Sequence, residues 1–300
     1  IFMLGAGIFC HITGRIYGEK IFLFLIFLFP FYYSSSYFIT VYQGKEKFKQ
    51  MAILNIIFSI ISLILISSAI YFKKDLFSII ITTVLVKIII HGYYTFFYVQ
   101  KELINKDYDE KNLEFGKKTN LSQGITTIAT YLDTILIPFF LGFGALAIYT
   151  IVTLIPNQIK ISFNTLNPMF LPKLSKKKIS NKELTSHLIK IIIFSIICII
   201  GYMLISPFVF NIFYAPYKEY VWLSILFSIS LIILPFNFLL ANIQSKLDEK
   251  KINEISYINS IILISSTIIG LMFGLLGLII GKIIHRILIL ILIIFYNKTN

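Results

Sequence analysis

The stretch LLGLIIGKIIHRILILILIIF, residues 275–295, combines two properties that decide the fold of this chain. It is long enough to cross a bilayer, because a spanning helix needs about 20 predominantly apolar residues. It also carries Lys282 and Arg286 within the apolar run. A bare cation in hydrocarbon costs at least ~2.5–3.5 kcal/mol, so such residues persist where they face a polar interior. The stretch therefore predicts a spanning helix in a bundle with a polar centre.

Eight further stretches of similar character occupy most of the remaining sequence, at residues 21–42, 51–72, 76–98, 121–141, 145–171, 191–214, 220–242 and 255–273. Hydrophobic residues make up 57% of the chain and charged residues 14%, whereas soluble domains carry about 25% charged residues. Residues 1–10 have the composition of the end of another apolar helix, and we expect an intact protein of twelve helices. The sequence predicts an all-α, polytopic transmembrane bundle with about nine complete helices and one partial helix.

Basic residues alternate between successive loops and indicate the orientation in the membrane. Of the 27 Lys and Arg residues, 18 lie in one set of alternate loops, 5 in the other set and 4 within the predicted spans. The positive-inside rule places the lysine-rich set, which includes the C-terminal tail, in the cytoplasm. These loops carry most of the net charge of +13, and they favour contact with anionic membrane lipids over nucleic-acid binding.

Two similar segments indicate an internal repeat. The pair PF at residues 30–31 and QGK at 43–45 precede one predicted hairpin, and PF at 235–236 and QSK at 244–246 precede another. Parallel repeats recur in transporters, with the substrate site between the halves. Chance similarity between two apolar hairpins is the competing explanation. We predict the remainder of an N-terminal lobe, helices three to six and a linker, at residues 1–114, and a C-terminal lobe, helices seven to twelve, at 115–300.

A polar stripe runs along the predicted helix at residues 145–171. Its members recur every three or four residues and so share one helix face: Thr150, Thr153, Asn157, Lys160, Asn164 and Asn167. Such a stripe contacts protein or water rather than lipid. Hydrogen bonding between helices is one explanation, but Lys160 favours a cavity wall in the inner half of the bilayer, ~25 Å below the outer end of the helix.

Asp133 is the one acidic residue inside a predicted span. Two roles are open: it is the counter-ion of a buried cation, with Lys160 as the first choice, or it is a site that couples transport to protons or cations. Arg286 lies ~16 Å into its helix, near the midplane, where a permanently charged guanidinium suits phosphate. Lys282 lies nearer the outer surface, where its side chain can snorkel. Lys87 is the remaining cation within a span.

The residue types argue against an enzyme. The sequence contains no glycine-rich phosphate loop, no His/Cys metal cluster and no paired acidic motif. Its two cysteines, Cys10 and Cys198, lie in apolar stretches and suggest no disulfide framework. The predicted outer loops are too short for the catalytic groups of a membrane glycosyltransferase or polymerase. We expect a protein without enzymatic activity, cofactor or metal.

Several short motifs follow one another through the chain: YQG at 42–44, FGKKTNLSQ at 115–123, YLD at 131–133, FLG at 140–142, AIYT at 147–150, Pro168 and PKLS at 172–175. Together they resemble bacterial polysaccharide flippases, the O-antigen and capsule branch of the multidrug/oligosaccharidyl-lipid/polysaccharide (MOP) exporter superfamily. The resemblance implies two six-helix lobes around a central cavity, lined in part by the helices at 121–141 and 145–171. It also implies a place in the bacterial cytoplasmic (inner) membrane.

The implied activity is transfer of an undecaprenyl-pyrophosphate-linked oligosaccharide, an O-antigen or capsule repeat unit, to the outer leaflet by alternating access. The expected partners are this lipid-linked substrate, membrane lipids and the polysaccharide polymerase machinery. We predict phosphate contacts at Lys160 and Arg286, then at Lys87 and Lys282, and sugar contacts at Asn157, Asn164 and Asn167. The alternatives are a multidrug or organic-cation antiporter of the same fold, which predicts an acidic cavity, and a non-transporting membrane enzyme of polysaccharide assembly.

Overall fold

The computed structural model describes residues 16–73, 75–96, 110–164, 181–245 and 249–298. Within these ranges the chain forms helices and short connections and no β-strand, which confirms the all-α prediction. The helices are α1 Ile16–Ser34, α2 Tyr37–Gly44, α3 Phe48–Lys73, α4 Leu76–Tyr94, α5 Glu110–Phe140, α6 Gly142–Asn164, α7 Asn181–Phe213, α8 Val221–Ser228, α9 Pro235–Ser245, α10 Glu249–Met272 and α11 Gly274–Lys298. Two 3-10 helices, Ala215–Tyr220 and Ile229–Ile233, flank α8.

Eight helical segments in the described ranges are long and apolar enough to cross a membrane, and they match eight of the nine predicted spans. The exception is α5, which contains residues 121–140 in a helix of 31 residues but is too polar to qualify. Its Ser, Thr and Asp side chains lower the hydropathy of the segment. The expected helix end at residues 1–10 lies outside the described residues, as do residues 165–171 of the span predicted at 145–171.

The chain divides into two compact units, Ile1–Tyr108 and Asp109–Asn300. In the first unit, α1 and α2 form one span that is interrupted by a turn at Ser35 and Ser36. The Thr95 hydroxyl donates to the carbonyl oxygen of Ser35 at 2.6 Å, which satisfies a backbone acceptor at the interruption. Phe38 and Phe58 are buried between α2, α3 and α4. The predicted lobes at 1–114 and 115–300 concern the intact protein and stay a prediction.

In the second unit, α10 and α11 form a close hairpin. The turn between them uses Gly274, whose φ of 72° favours glycine. The two helices then approach so closely that a Cβ atom at Gly277 would lie 2.5 Å from the carbonyl oxygen of Gly270. A Cβ atom at Gly281 would lie equally near the carbonyl oxygen of Ser266. Helix α5 packs along α10 and α6, and α7 packs against α8 and the two 3-10 helices.

The last part of the second unit has the same order of elements as the first unit, which agrees with the internal repeat. Each begins with a broken span: α1 and α2 in the first unit, and α8, the 3-10 helix Ile229–Ile233 and α9 after α7 in the second. A helical hairpin follows in each, α3–α4 and α10–α11, and its second helix carries the cations. In the second unit, the buried face of α11 changes from Leu278 and Ile279 to charged residues and back to Ile289 and Ile293. A polar layer thus lies between two apolar layers.

Candidate functional site

Three basic side chains form the polar layer of α11. Lys282, His285 and Arg286 lie at spacings that place them on one helix face, and their exposed fractions are 6%, 7% and 7%. From the sequence, Lys282 could either snorkel to the outer surface or face the site, and the structure buries its side chain within the second unit. The unit therefore holds three basic groups away from its surface.

Arg286 is held in one orientation by neutral groups. It donates one hydrogen bond to the Ser230 hydroxyl and another, at 2.8 Å, to the side-chain oxygen of Asn157. Its guanidinium carbon lies 4.9 Å from the centroid of the Phe227 ring, within the range of a cation–π contact. Across the described ranges no carboxylate lies within ion-pair distance of Arg286. These contacts with neutral groups fix the position of the guanidinium.

Lys282 is paired with Asp133 of α5. The ammonium nitrogen lies 2.7 Å from a carboxylate oxygen of Asp133, whose side chain is 6% exposed. The Tyr149 hydroxyl and the Thr134 backbone N–H also donate to this carboxylate. Asp133 is thus the counter-ion of a buried cation in this structure, but its partner is Lys282 and not Lys160, the first choice from sequence.

A cavity of about 220 Å³ lies beside these groups in the second unit. Nine of its thirteen lining residues are polar or charged: Thr126, Thr130, Lys160, Asn164, Asn237, Asn259, Lys282, His285 and Arg286. Lys160 therefore lines a cavity, as the stripe predicted. In the part of the chain that the structure describes, its ammonium has no hydrogen bond or ion pair. Lys160 brings to the cavity a second basic group that has no ion-pair partner among the described residues.

Amide side chains support this cavity from three helices. Asn237 of α9 donates to the side-chain oxygen of Asn164 on α6. A ring nitrogen of His285 lies 2.9 Å from the side-chain oxygen of Asn259 on α10. Sequence reasoning missed Asn237 and Asn259, although an asparagine inside an apolar stretch was the available signal. Both amides take part in the network that surrounds the cations.

The polar stripe of α6 is only partly internal. Asn157, Lys160 and Asn164 face the polar layer, and Thr153 is buried and donates to the carbonyl oxygen of Tyr149 at 2.9 Å. Thr150 is exposed and bonds to a carbonyl of its own helix. The sixth predicted member of the stripe, Asn167, lies outside the described residues.

Lys87 belongs to the first unit. Its ammonium nitrogen lies 3.7 Å from the centroid of the Tyr32 ring, a cation–π contact between α4 and α1. One turn further along α4, the His91 ring packs against Phe38 and Phe58. Of the four cations predicted for the site, the structure brings Lys160, Lys282 and Arg286 together within one unit.

The charge of the polar layer determines what it can bind. Three basic side chains, Lys160, Lys282 and Arg286, line the cavity, and one carboxylate, that of Asp133, is paired with Lys282. The described ranges contain no group of three or more His, Cys, Asp or Glu residues suited to a metal ion. Arg and Lys donors are the groups that proteins use for phosphate oxygens. The arrangement is suited to a small anion such as a diphosphate.

Comparison with known proteins gives one result. The profile of a family described as "Polysaccharide biosynthesis protein" matches residues 2–178, more than half of the chain. No match was found among curated proteins or among solved structures. Together with the eight apolar helices and the buried cations, the match assigns a role in polysaccharide biosynthesis to a multi-pass membrane protein. The chain belongs to the polysaccharide biosynthesis protein family.

Proposed function

We propose that this protein is a flippase of the MOP superfamily that moves an undecaprenyl-pyrophosphate-linked oligosaccharide across the bacterial cytoplasmic membrane by alternating access. Three findings support the proposal: the family, the eight apolar helices and a cationic cavity within the spans. The observation that carries it is a pair of basic side chains at this cavity, Lys160 and Arg286, which have no ion-pair partner among the described residues. A basic group inside a helical bundle is unfavourable without a counter-ion, and an anionic substrate can supply one.

The chemistry of the substrate explains the need for such a cavity. A pyrophosphate and a glycan cannot enter hydrocarbon without losing their hydration, and an unpaired charge loses the most. Lys160, Lys282 and Arg286 replace water around the phosphates, while the polyprenyl tail stays in lipid. Arg286 is already oriented by Ser230 and Asn157, so little side-chain entropy is lost when an anion binds.

The size of the cavity limits which part of the substrate it holds. Its volume of about 220 Å³ lies below the ~300–1,000 Å³ of typical small-molecule pockets. A diphosphate fits this volume better than an oligosaccharide does. Asn157 and Asn164, expected from sequence to bind sugars, are engaged by Arg286 and Asn237. We assign these amides to the support of the cations, and Asn167 stays a predicted sugar contact.

The proposal includes a place and partners in the cell. We propose that the protein is not an enzyme, that its C-terminus lies in the cytoplasm and that it works beside the polysaccharide polymerase machinery. A multidrug or organic-cation antiporter of the same fold would need an acidic cavity, and the cavity found in the second unit has the opposite charge. The sign of the charge therefore favours an anionic substrate.

Removal of these two basic side chains tests the proposal. Lys160→Ala or Arg286→Ala should lower the rate at which proteoliposomes translocate the lipid-linked oligosaccharide by about tenfold or more, because a hydrogen bond to a charged group contributes ~1.5–3 kcal/mol. The matched control is Lys190→Ala, which removes an exposed lysine of α7. The amount of folded protein in the membrane is measured for each variant. Unchanged translocation by a well-folded Lys160→Ala protein would contradict the proposed site.

A further inference from the structure

Lys282 faces two different surroundings at once. Its side chain lines the cavity, and its ammonium nitrogen lies 2.7 Å from a carboxylate oxygen of Asp133. Asp133 itself is buried and is not among the residues that line the cavity. The ammonium group therefore lies between a fixed carboxylate on one side and the space for an anion on the other.

Asp133 does not depend on Lys282 alone. The Tyr149 hydroxyl donates to one carboxylate oxygen, and the Thr134 backbone N–H donates to the other at 2.7 Å. An ionised carboxylate accepts several hydrogen bonds, so these donors continue to satisfy it when the ammonium group turns away. A lysine ammonium sits on a flexible stem and has three donors that rotate freely. Lys282 can thus leave Asp133 without leaving a bare carboxylate.

Lys282 differs in this respect from Arg286. The guanidinium of Arg286 is held by Ser230 and Asn157 and lies over the Phe227 ring, so its position is fixed. Among the described residues, the Lys282 ammonium has Asp133 as its ion-pair partner. Arg286 is therefore fixed by neutral groups. Lys282 is held by the carboxylate of Asp133, and a second anion can compete with this carboxylate.

We infer that Asp133 and the diphosphate head group compete for Lys282, and that this competition weakens head-group binding enough for release. The inference rests on the proposed flippase function. When the anion enters, Lys282 turns from Asp133 to the phosphate oxygens, and when the anion leaves, Asp133 recaptures the ammonium group. Transport requires binding that is strong enough for entry and weak enough for exit. Asp133 acts here as a positioning residue that does not touch the substrate.

Binding of inorganic pyrophosphate to the purified protein tests the competition. We expect isothermal titration calorimetry at low ionic strength to give an affinity about tenfold higher for Asp133→Asn than for the wild-type protein, or about 1.4 kcal/mol. The matched control is Glu219→Gln, which removes an exposed carboxylate from the same unit and should leave the affinity unchanged. An affinity of Asp133→Asn equal to or below that of the wild type overturns the inference.

A double-mutant cycle identifies the route of the effect. Lys282→Gln should weaken pyrophosphate binding, and Asp133→Asn should add no further change in that background, because the competed group is absent. A gain of the same size in both backgrounds would mean that Asp133 acts by general repulsion, and this overturns the inference. Translocation by Asp133→Asn should be slower than wild type although binding is tighter, since release is delayed.

A second variant covers the case in which Asp133→Asn does not fold. Tyr149→Phe removes one donor from Asp133, so the carboxylate should hold Lys282 more tightly. Pyrophosphate binding should then weaken a few-fold, although Tyr149 does not line the cavity. Unchanged binding overturns the inference. If the wild-type protein binds no pyrophosphate, both the proposed head-group site and the inference are contradicted. If the wild-type protein binds pyrophosphate but the variants do not change as expected, only the inference is contradicted.

Discussion

At Arg286 the shape of the side chain matters as well as its charge. The planar guanidinium donates to Ser230 and Asn157 from two different nitrogens and stacks over Phe227. A lysine at this position keeps the charge but has neither the planar fork nor the aromatic stacking. The position therefore separates the contribution of charge from that of orientation.

We predict that Arg286→Lys restores translocation only in part. Its rate should lie between those of the wild type and Arg286→Ala, because the charge remains while two hydrogen bonds of a charged group, each ~1.5–3 kcal/mol, are lost or weakened. The measurement is the initial rate in proteoliposomes at equal protein content. A wild-type rate for Arg286→Lys would show that orientation is unimportant, and a rate equal to that of Arg286→Ala would show that charge alone is not enough.

Single residues also show what could be read from the sequence. The spacing of three and four residues along α6 correctly brought Asn157, Lys160 and Asn164 to the polar layer, because helical periodicity is a local property. The ion pair between Asp133 and Lys282 was not found, since it joins α5 to α11. Partners that are distant in sequence depend on packing, which residue spacing does not report.

At the scale of helices, close packing in the α10–α11 hairpin depends on glycines at positions 270, 277 and 281, which have no side chain. A Cβ atom at Gly281 would lie 2.5 Å from the carbonyl oxygen of Ser266, which is too close for two non-bonded atoms. The neighbouring residue, Lys282, lines the cavity. A larger residue must push the two helices apart, because a backbone carbonyl cannot rotate away as a flexible side chain can.

We predict that Gly281→Ala lowers the stability of the protein by ~1–3 kcal/mol through this overpacking. The measurement is thermal unfolding of the purified protein in detergent, followed by tryptophan fluorescence or circular dichroism. The matched control is Gly201→Ala in α7, where no atom lies within 4 Å of the added Cβ atom. Alanine is the better helix former, so the control should be unchanged or slightly more stable. Equal stability of Gly281→Ala and the control would contradict close packing of the hairpin.

Helix type and helix boundaries are a second feature that could not be predicted from the sequence. The apolar stretch at 220–242 was predicted as one span, and it is divided into α8, the 3-10 helix Ile229–Ile233 and α9. The 3-10 helix carries Ser230, which accepts a hydrogen bond from Arg286. A run such as ISLII has the same apolar character in either helix type, so the change depends on tertiary contacts and not on local preference.

For the whole molecule, the testable quantity is orientation. We predict that residues 176–178 and the C-terminus lie in the cytoplasm, because lysine-rich loops remain on that side. Single cysteines at positions 177 and 300, in a protein with Cys10 and Cys198 replaced by Ser, should resist a membrane-impermeant thiol reagent in intact cells. A cysteine at position 218, in the exposed 3-10 helix Ala215–Tyr220, should react and serves as the control. Labelling at 177 or 300 from outside would contradict the predicted topology.

Most of the spanning helices in the described residues were predictable, since composition and stretch length identify such helices without tertiary information. Eight spans were found where expected. The departure is α5, whose serine, threonine and aspartate side chains make it less apolar than the others. Such polar groups are tolerated when neighbouring helices satisfy them, as the contact between Thr126 and Ser260 of α10 does at 3.1 Å.

The polarity of α5 matters while the chain is being synthesised and inserted into the membrane. Asp133 leaves the ribosome long before Lys282, which lies in the last helix of the described chain. Until α11 is inserted, the carboxylate of α5 has no cation and depends on its hydrogen bonds from Tyr149 and Thr134, although an acidic side chain is costly at the centre of a bilayer. The ion pair of Asp133 therefore forms only after α11 has been made, and a helix made late stabilises the first helix of the unit.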